Sequence, residues 1–221
     1  RSYTAQQVRE SIRLSPREHW PYFTPGFPLT LPLQHGSRIG SLAGPATVPF
    51  PAPADTNTIR SDTGELTWRH GGKGAGLVSV NTDRSQALIG FVGAHAVALK
   101  HLAAEVRPPF CALTLNSLEP RPIARAGRLL LTATARMANS GMVWNEQRNS
   151  LQSWGDPPTR IEPVTGQIHL TGLENVTSVS ASPLNGAGAP SGPDISAVRD
   201  GNRWTLTLSA PGLSYLVQVA R

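Results

Sequence analysis

Residues 139–150 read NSGMVWNEQRNS and place an indole, an amide and a carboxyl side by side in Trp144-Asn145-Glu146. A carboxyl presented next to an amide is a candidate general acid, and glycosidic bonds are cleaved by two such groups about 5–10 Å apart. Glu146 needs a partner for that chemistry. None is evident, because Asp156 and Glu162 flank the Pro157-Pro158 break and Glu105 and Glu119 stand in connecting segments. The second chemistry open to the same stretch is recognition. Trp144 and Trp154 bracket a polar run, and indole faces stack on pyranose rings while Asn145, Glu146 and Arg148 could hydrogen-bond hydroxyls. Alternatively the two indoles plug a sheet edge or dock a neighbouring domain.

Other chemical motifs dissolve into turns. Asp62-Thr63-Gly64 has the residues of an aspartic-protease triplet, but it follows polar residues rather than an apolar strand, so it reads as a turn. The glycine cluster at 71–76 lacks the Gly-Lys-Ser/Thr ending and following helix of a phosphate loop, and reads as a hairpin tip. No histidine stands at ligand spacing from another His, Cys or carboxylate on a shared element, so neither a transition metal nor a cofactor is expected. Asp55, Asn57 and Asp62 have oxygen ligands for calcium, although polar loop residues read more simply as solvated surface. Cys111 lies in the apolar run FCALTL as a core thiol, and no Gly-x-Ser-x-Gly elbow occurs.

The elements that must position these residues are strands. Alternation in ELTWRH and GLVSVN around the glycine cluster predicts a hairpin, followed by strands at 86–93, 110–118 and 128–137. Residues 94–106 are ambiguous between helix and two short strands, and the period of their neighbours favours strands. After a loop at 139–158, further strands recur in TRIEPV, QIHLTG, VTSVSASP, ISAVRD, RWTLTLS and SYLVQVA, with Asp200-Gly201-Asn202 as a turn. Trp68 and Trp204 fall within alternating strands as core. The expected fold is therefore all-β: one or two antiparallel β-sandwiches preceded by a short helix and a Pro-rich extended segment. The helix is expected at 4–14, behind a Thr4 cap. Nine prolines between Pro16 and Pro53 keep the next stretch out of a sheet of its own. Within it Trp20, Tyr22, Phe23 and Phe27 form a docking segment for an apolar surface. Domain boundaries are expected as 1–58 for this N-terminal segment, 59–158 for a β-sandwich, and 159–221 for a small C-terminal β-domain or part of the same sandwich.

The 221 residues are enough for a real core, and no apolar run is long enough to form a membrane-spanning helix. Net charge is +6, with every basic residue an arginine except Lys73 and Lys100. The arginines are scattered singly without interleaved aromatics, which argues against nucleic-acid binding. The chain opens on Arg1 without a charged-then-apolar leader, so any signal peptide is expected to be removed or to lie outside it.

From Ser61 to Pro163 the order of SDTGELTW, VSVNTDRSQALIGFVG, LTLNSLEPRPIARAGRLLLTATARMANSGMVWNE and SWGDPPTRIEPVTGQI resembles the all-β region that follows the catalytic barrel in bacterial cellulase-like, clan-A-type glycoside hydrolases. The tail through Arg221 is similar to their closing β-domain. The resemblance implies a secreted or periplasmic, non-catalytic accessory region that contacts a polysaccharide or oligosaccharide, or a catalytic barrel domain or chain, through Trp144, Asn145, Glu146, Arg148 and Trp154. It places the catalytic glutamates on a barrel outside this chain. A glycoside hydrolase acting through Glu146 is the alternative, and a structural assembly domain docking through 19–27 is the third.

Overall fold

The computed structural model describes residues 34–36, 57–72, 74–209 and 212–221. The expected helix at 4–14 and the aromatic residues Trp20, Tyr22, Phe23 and Phe27 lie outside the described residues, as does Asp55. The chain divides into two compact units, Arg1–His70 and Gly71–Arg221. Among the described residues no helix is long and apolar enough to cross a membrane.

In the first unit, β1 (Thr58–Arg60) and β2 (Leu66–Arg69) pair antiparallel with Ile59 opposite Trp68. The Asp-Thr-Gly triplet is their turn, closed by Gly64 N–H donating to the Ser61 carbonyl at 3.0 Å and Leu66 N–H donating to Ser61 Oγ at 3.0 Å. Asp62 accepts from His35 Nδ1 at 3.0 Å, and that hydrogen bond holds its carboxyl below the usual carboxylate range. Trp68 is half-buried rather than core, and its ring stacks on His70 with centroids 3.9 Å apart.

The second unit is one sandwich. Its strands run β3 (Leu77–Asn81), β4 (Ser85–Gly90), β5 (Leu102–Arg107), β6 (Cys111–Ser117), β7 (Arg128–Thr134), β8 (Met137–Ser140), β9 (Val143–Trp144), β10 (Leu151–Ser153) and β11 (Asp156–Ile161). They continue as β12 (Thr165–Thr171), β13 (Ser178–Leu184), β14 (Ile195–Ser196), β15 (Val198–Asp200), β16 (Arg203–Leu208) and β17 (Ser214–Ala220). The larger sheet has the order β3-β4-β6-β7-β17-β13-β14 and the smaller β15-β16-β12-β5. Both contain strands from before and after residue 158, so the C-terminal strands complete the layers begun upstream.

Alternation builds the core. Leu113 and Leu115 on β6, Leu129 and Leu131 on β7, and Val217 on β17 point inward and meet Ile168, Leu170 and Leu206 of the smaller sheet. Each such side chain, fully buried, contributes roughly 1.5–3 kcal/mol. Trp204 and Cys111 belong to the same cluster, and burial pushes the Cys111 thiol up to about 11. The period-two residues facing outward on β4, β6, β7 and β17 of the larger sheet are Ala, Thr, Ser, Leu, Ile, Asn and Gln, with Arg128 as the one charged residue among them.

Several expected strands take other forms. The strand expected over 86–93 ends at Gly90, and Val92–Ala94 is a 3₁₀ turn. Of two strands within 94–106 only β5 forms, and the first is reduced to a single bridge between Ala98 and Ala103. The strand expected over 128–137 stops at Thr134. ISAVRD splits into β14 and β15, which join different sheets, with Ala197 N–H donating to Val179 O at 2.9 Å between them. A chain switching layers keeps its alternation, so periodicity does not reveal the break.

Candidate functional site

Residues 137–161 are a two-stranded ribbon, where the sequence suggests a loop across 139–158. β8 pairs with β11, setting Met137 opposite Ile161 and Ser140 opposite Asp156, and β9 pairs with β10, setting Trp144 opposite Leu151. The register shifts between Asp156 and Thr159, which is where Pro157 and Pro158 sit, so the missing donors fall in an irregular step of the ladder. Among the described residues neither pair joins a larger sheet, and every residue of β11 is exposed. We refer to this ribbon as the arm.

The arm's tip is built by Asn145. Its Oδ1 accepts from Asn149 N–H at 3.0 Å and Ser150 N–H at 3.3 Å, and its Nδ2 donates to Asn149 Oδ1 at 2.7 Å. Arg148 takes a left-handed backbone, φ 54°, with its N–H donating to the Asn145 carbonyl at 2.9 Å. The half-buried Asn145 amide therefore closes the turn, whereas the side chains of Glu146 and Arg148 are exposed and make no hydrogen bond or ion pair among the described residues.

The apolar content of the arm is unusual for a surface. Met137 is 67% exposed, Trp144 45% and Trp154 72%, and Val143 and Ile161 are also exposed; these are five of the eleven large apolar side chains left exposed among the described residues. Neither Trp144 nor Trp154 contacts another aromatic ring or donates from its indole nitrogen among the described residues. Trp154 is held by its backbone, through Asn139 Nδ2 donating to its carbonyl at 3.0 Å. Gly155 follows with φ 67°, and a Cβ there would run into the Ser140 carbonyl oxygen, so the arm needs glycine at this position. At the base of the arm, Ile161 and Pro163 line a groove of about 660 Å³ with Leu130, Leu184 and Leu213.

A second depression, of about 730 Å³, lies along β5. Its polar side chains are His95, Glu105, Arg107 and Thr165. In the sequence Glu105 stands in a connecting segment and nothing marks Arg107; the structure places both on β5. No short motif marks the site, because Thr165 meets Arg107 only through the pairing of β5 with β12, while His95 arrives at the end of the 3₁₀ turn Val92–Ala94 packed beside β5. Among the described residues no three His, Cys, Asp or Glu side chains come together as a metal site. No protein-family model, no curated protein and no solved structure matches the chain.

Proposed function

We propose that this chain is a non-catalytic accessory domain of a carbohydrate-active enzyme, and that the arm is the element by which it docks on the catalytic domain. The observation that carries the docking role is the gathering of Met137, Val143, Trp144, Trp154 and Ile161 on a ribbon too thin to bury them. Exposed apolar clusters of this kind mark interaction surfaces. The groove at the arm's base extends the same surface. The carbohydrate context rests on the resemblance in motif order from Ser61 to Pro163.

The test is size-exclusion chromatography with light scattering on the purified chain mixed with the catalytic domain that accompanies it. A one-to-one complex is expected, weakened at least tenfold, on the order of 1.4 kcal/mol, in the Trp144→Ala/Trp154→Ala double variant. A folded chain that forms no complex, or a double variant that binds as tightly as the parent, would overturn the reading.

The exposed rings of Trp144 and Trp154 favour a second reading, in which they contact polysaccharide directly. Affinity electrophoresis on soluble glucans, xylans and mannans separates the two. Under the docking reading these neutral polymers do not retard the chain through the arm. Retardation lost on replacing either indole would support glycan contact. Hydrolysis of an aryl glycoside abolished by Glu146→Gln would overturn both in favour of an enzyme.

A further inference from the structure

We infer that the depression beside β5 is a binding site for a sugar acid, a ring that carries a carboxylate among its hydroxyls, presented as a residue of an acidic polysaccharide. The inference rests on the accessory reading above for its biological setting and on the pocket's own chemistry for its ligand.

The donors and acceptors dictate the class. Arg107 is exposed and its guanidinium has no hydrogen bond or ion pair among the described residues, so it offers only donors in a planar fork. The group that fills such a fork best is a carboxylate held by two parallel bonds. Glu105 offers only acceptors. His95 does the same on its free side, because its Nε2 donates to the Ala75 carbonyl at 2.7 Å and leaves Nδ1 as a lone pair. The ligand must therefore bring one anionic acceptor and at least two hydroxyl donors. Inorganic phosphate brings the charge but not the ring hydroxyls that Glu105 and His95 would accept from, and a neutral sugar brings the hydroxyls but leaves the Arg107 fork empty.

Glu105 also faces a buried histidine outside the pocket lining. His169 on β12 is 6% exposed, its Nδ1 is hydrogen-bonded to Thr205 Oγ1 at 3.0 Å, and among the described residues its Nε2 has no hydrogen-bond partner. With the Thr205 hydroxyl donating to Nδ1, Nε2 carries its hydrogen toward Glu105 Oε1, 3.6 Å away. That is just beyond hydrogen-bond range, and a buried imidazole nitrogen left open is costly. A ligand that draws Glu105 inward completes the bond and fixes the carboxylate. Next to it, Gly166 takes φ 126° where a Cβ would run into the Glu105 carbonyl oxygen, so the wall at this point is bare backbone. The volume of about 730 Å³ falls within the range of small-ligand sites, roughly 300–1,000 Å³.

The test is affinity electrophoresis and titration calorimetry of the whole chain against polygalacturonate and alginate. Free galacturonate distinguishes a monomer site from a polymer site, and neutral starch and mixed-linkage glucan serve as controls. Acidic polymers are expected to retard the chain, with Arg107→Gln weakening binding at least tenfold and Glu105→Gln several-fold. Arg121→Gln, at an exposed arginine outside the pocket, should leave binding unchanged. Equal retention of Arg107→Gln and parent would reduce the effect to bulk charge and overturn the site. Absence of any uronate binding, or equal binding of the neutral polymers, would overturn it as well. The Trp144→Ala/Trp154→Ala variant keeps uronate binding if the pocket is the site, so failure of the docking reading and failure of this one are read separately.

Discussion

Asn139 bridges the arm at its weakest step: its Nδ2 donates to the Trp154 carbonyl at 3.0 Å while its Oδ1 accepts from Thr159 Oγ1 at 2.7 Å. One side chain thus ties the strand to both ends of the Pro157-Pro158 irregularity, where the ladder supplies no regular bonds. An isolated two-stranded ribbon is marginal in water, so such a tie decides whether the arm stays formed.

Asn139→Ala should therefore loosen the arm without unfolding the sandwich. Amide exchange is expected to accelerate at least tenfold at Trp144, Leu151 and Ser153 and to remain unchanged in β6, β7 and β17. A global loss of protection would show that the arm is integral to the core.

Core truncation should behave in the opposite way. Leu131 is fully buried between the sheets, so Leu131→Ala is expected to cost about 2–5 kcal/mol in denaturant unfolding, while Trp154→Ala, which removes an exposed ring, changes stability by less than about 0.5 kcal/mol.

The Cys111 thiol is raised from 9.0 to about 11 by burial first, with the Glu162 charge adding to it. Iodoacetamide should label it slowly at pH 8 in the folded chain and rapidly in denaturant. A raised folded value means the native state holds the proton that the unfolded chain releases, so its contribution to stability is full below about pH 9 and declines as pH rises toward about 11. Cys111→Ala should flatten that alkaline decline.

Lys100 Nζ lies 2.7 Å from Asp83 Oδ1 at the β3–β4 turn, and this hydrogen bond holds the Asp83 carboxyl below its ordinary value of 3.8. A lowered folded value gives a contribution present above the unfolded value and lost as pH falls through the folded one. The pair is exposed, so the expected readout is the titration of the Asp83 carboxyl by NMR, with its midpoint moving upward in Lys100→Gln.

The sequence by itself determined the all-β class and most of the core, because inward residues such as Leu113, Leu131 and Val217 repeat with the period of a strand whichever neighbour they pair with. It also marked the turns at Asp62-Thr63-Gly64 and Asp200-Gly201-Asn202, where local backbone preference is enough. The arm was hidden, since short polar strands interrupted by Pro157-Pro158 are stabilised by each other rather than by an apolar face. Only the tertiary structure decided that Asn145 closes a turn and that Ala197 carries the chain from one sheet to the other. The meeting of Thr165 with Glu105 and Arg107 is likewise a matter of strand pairing. Such pairing joins residues far apart in the chain, and nothing in the local spacing of side chains encodes which strand a given edge will meet.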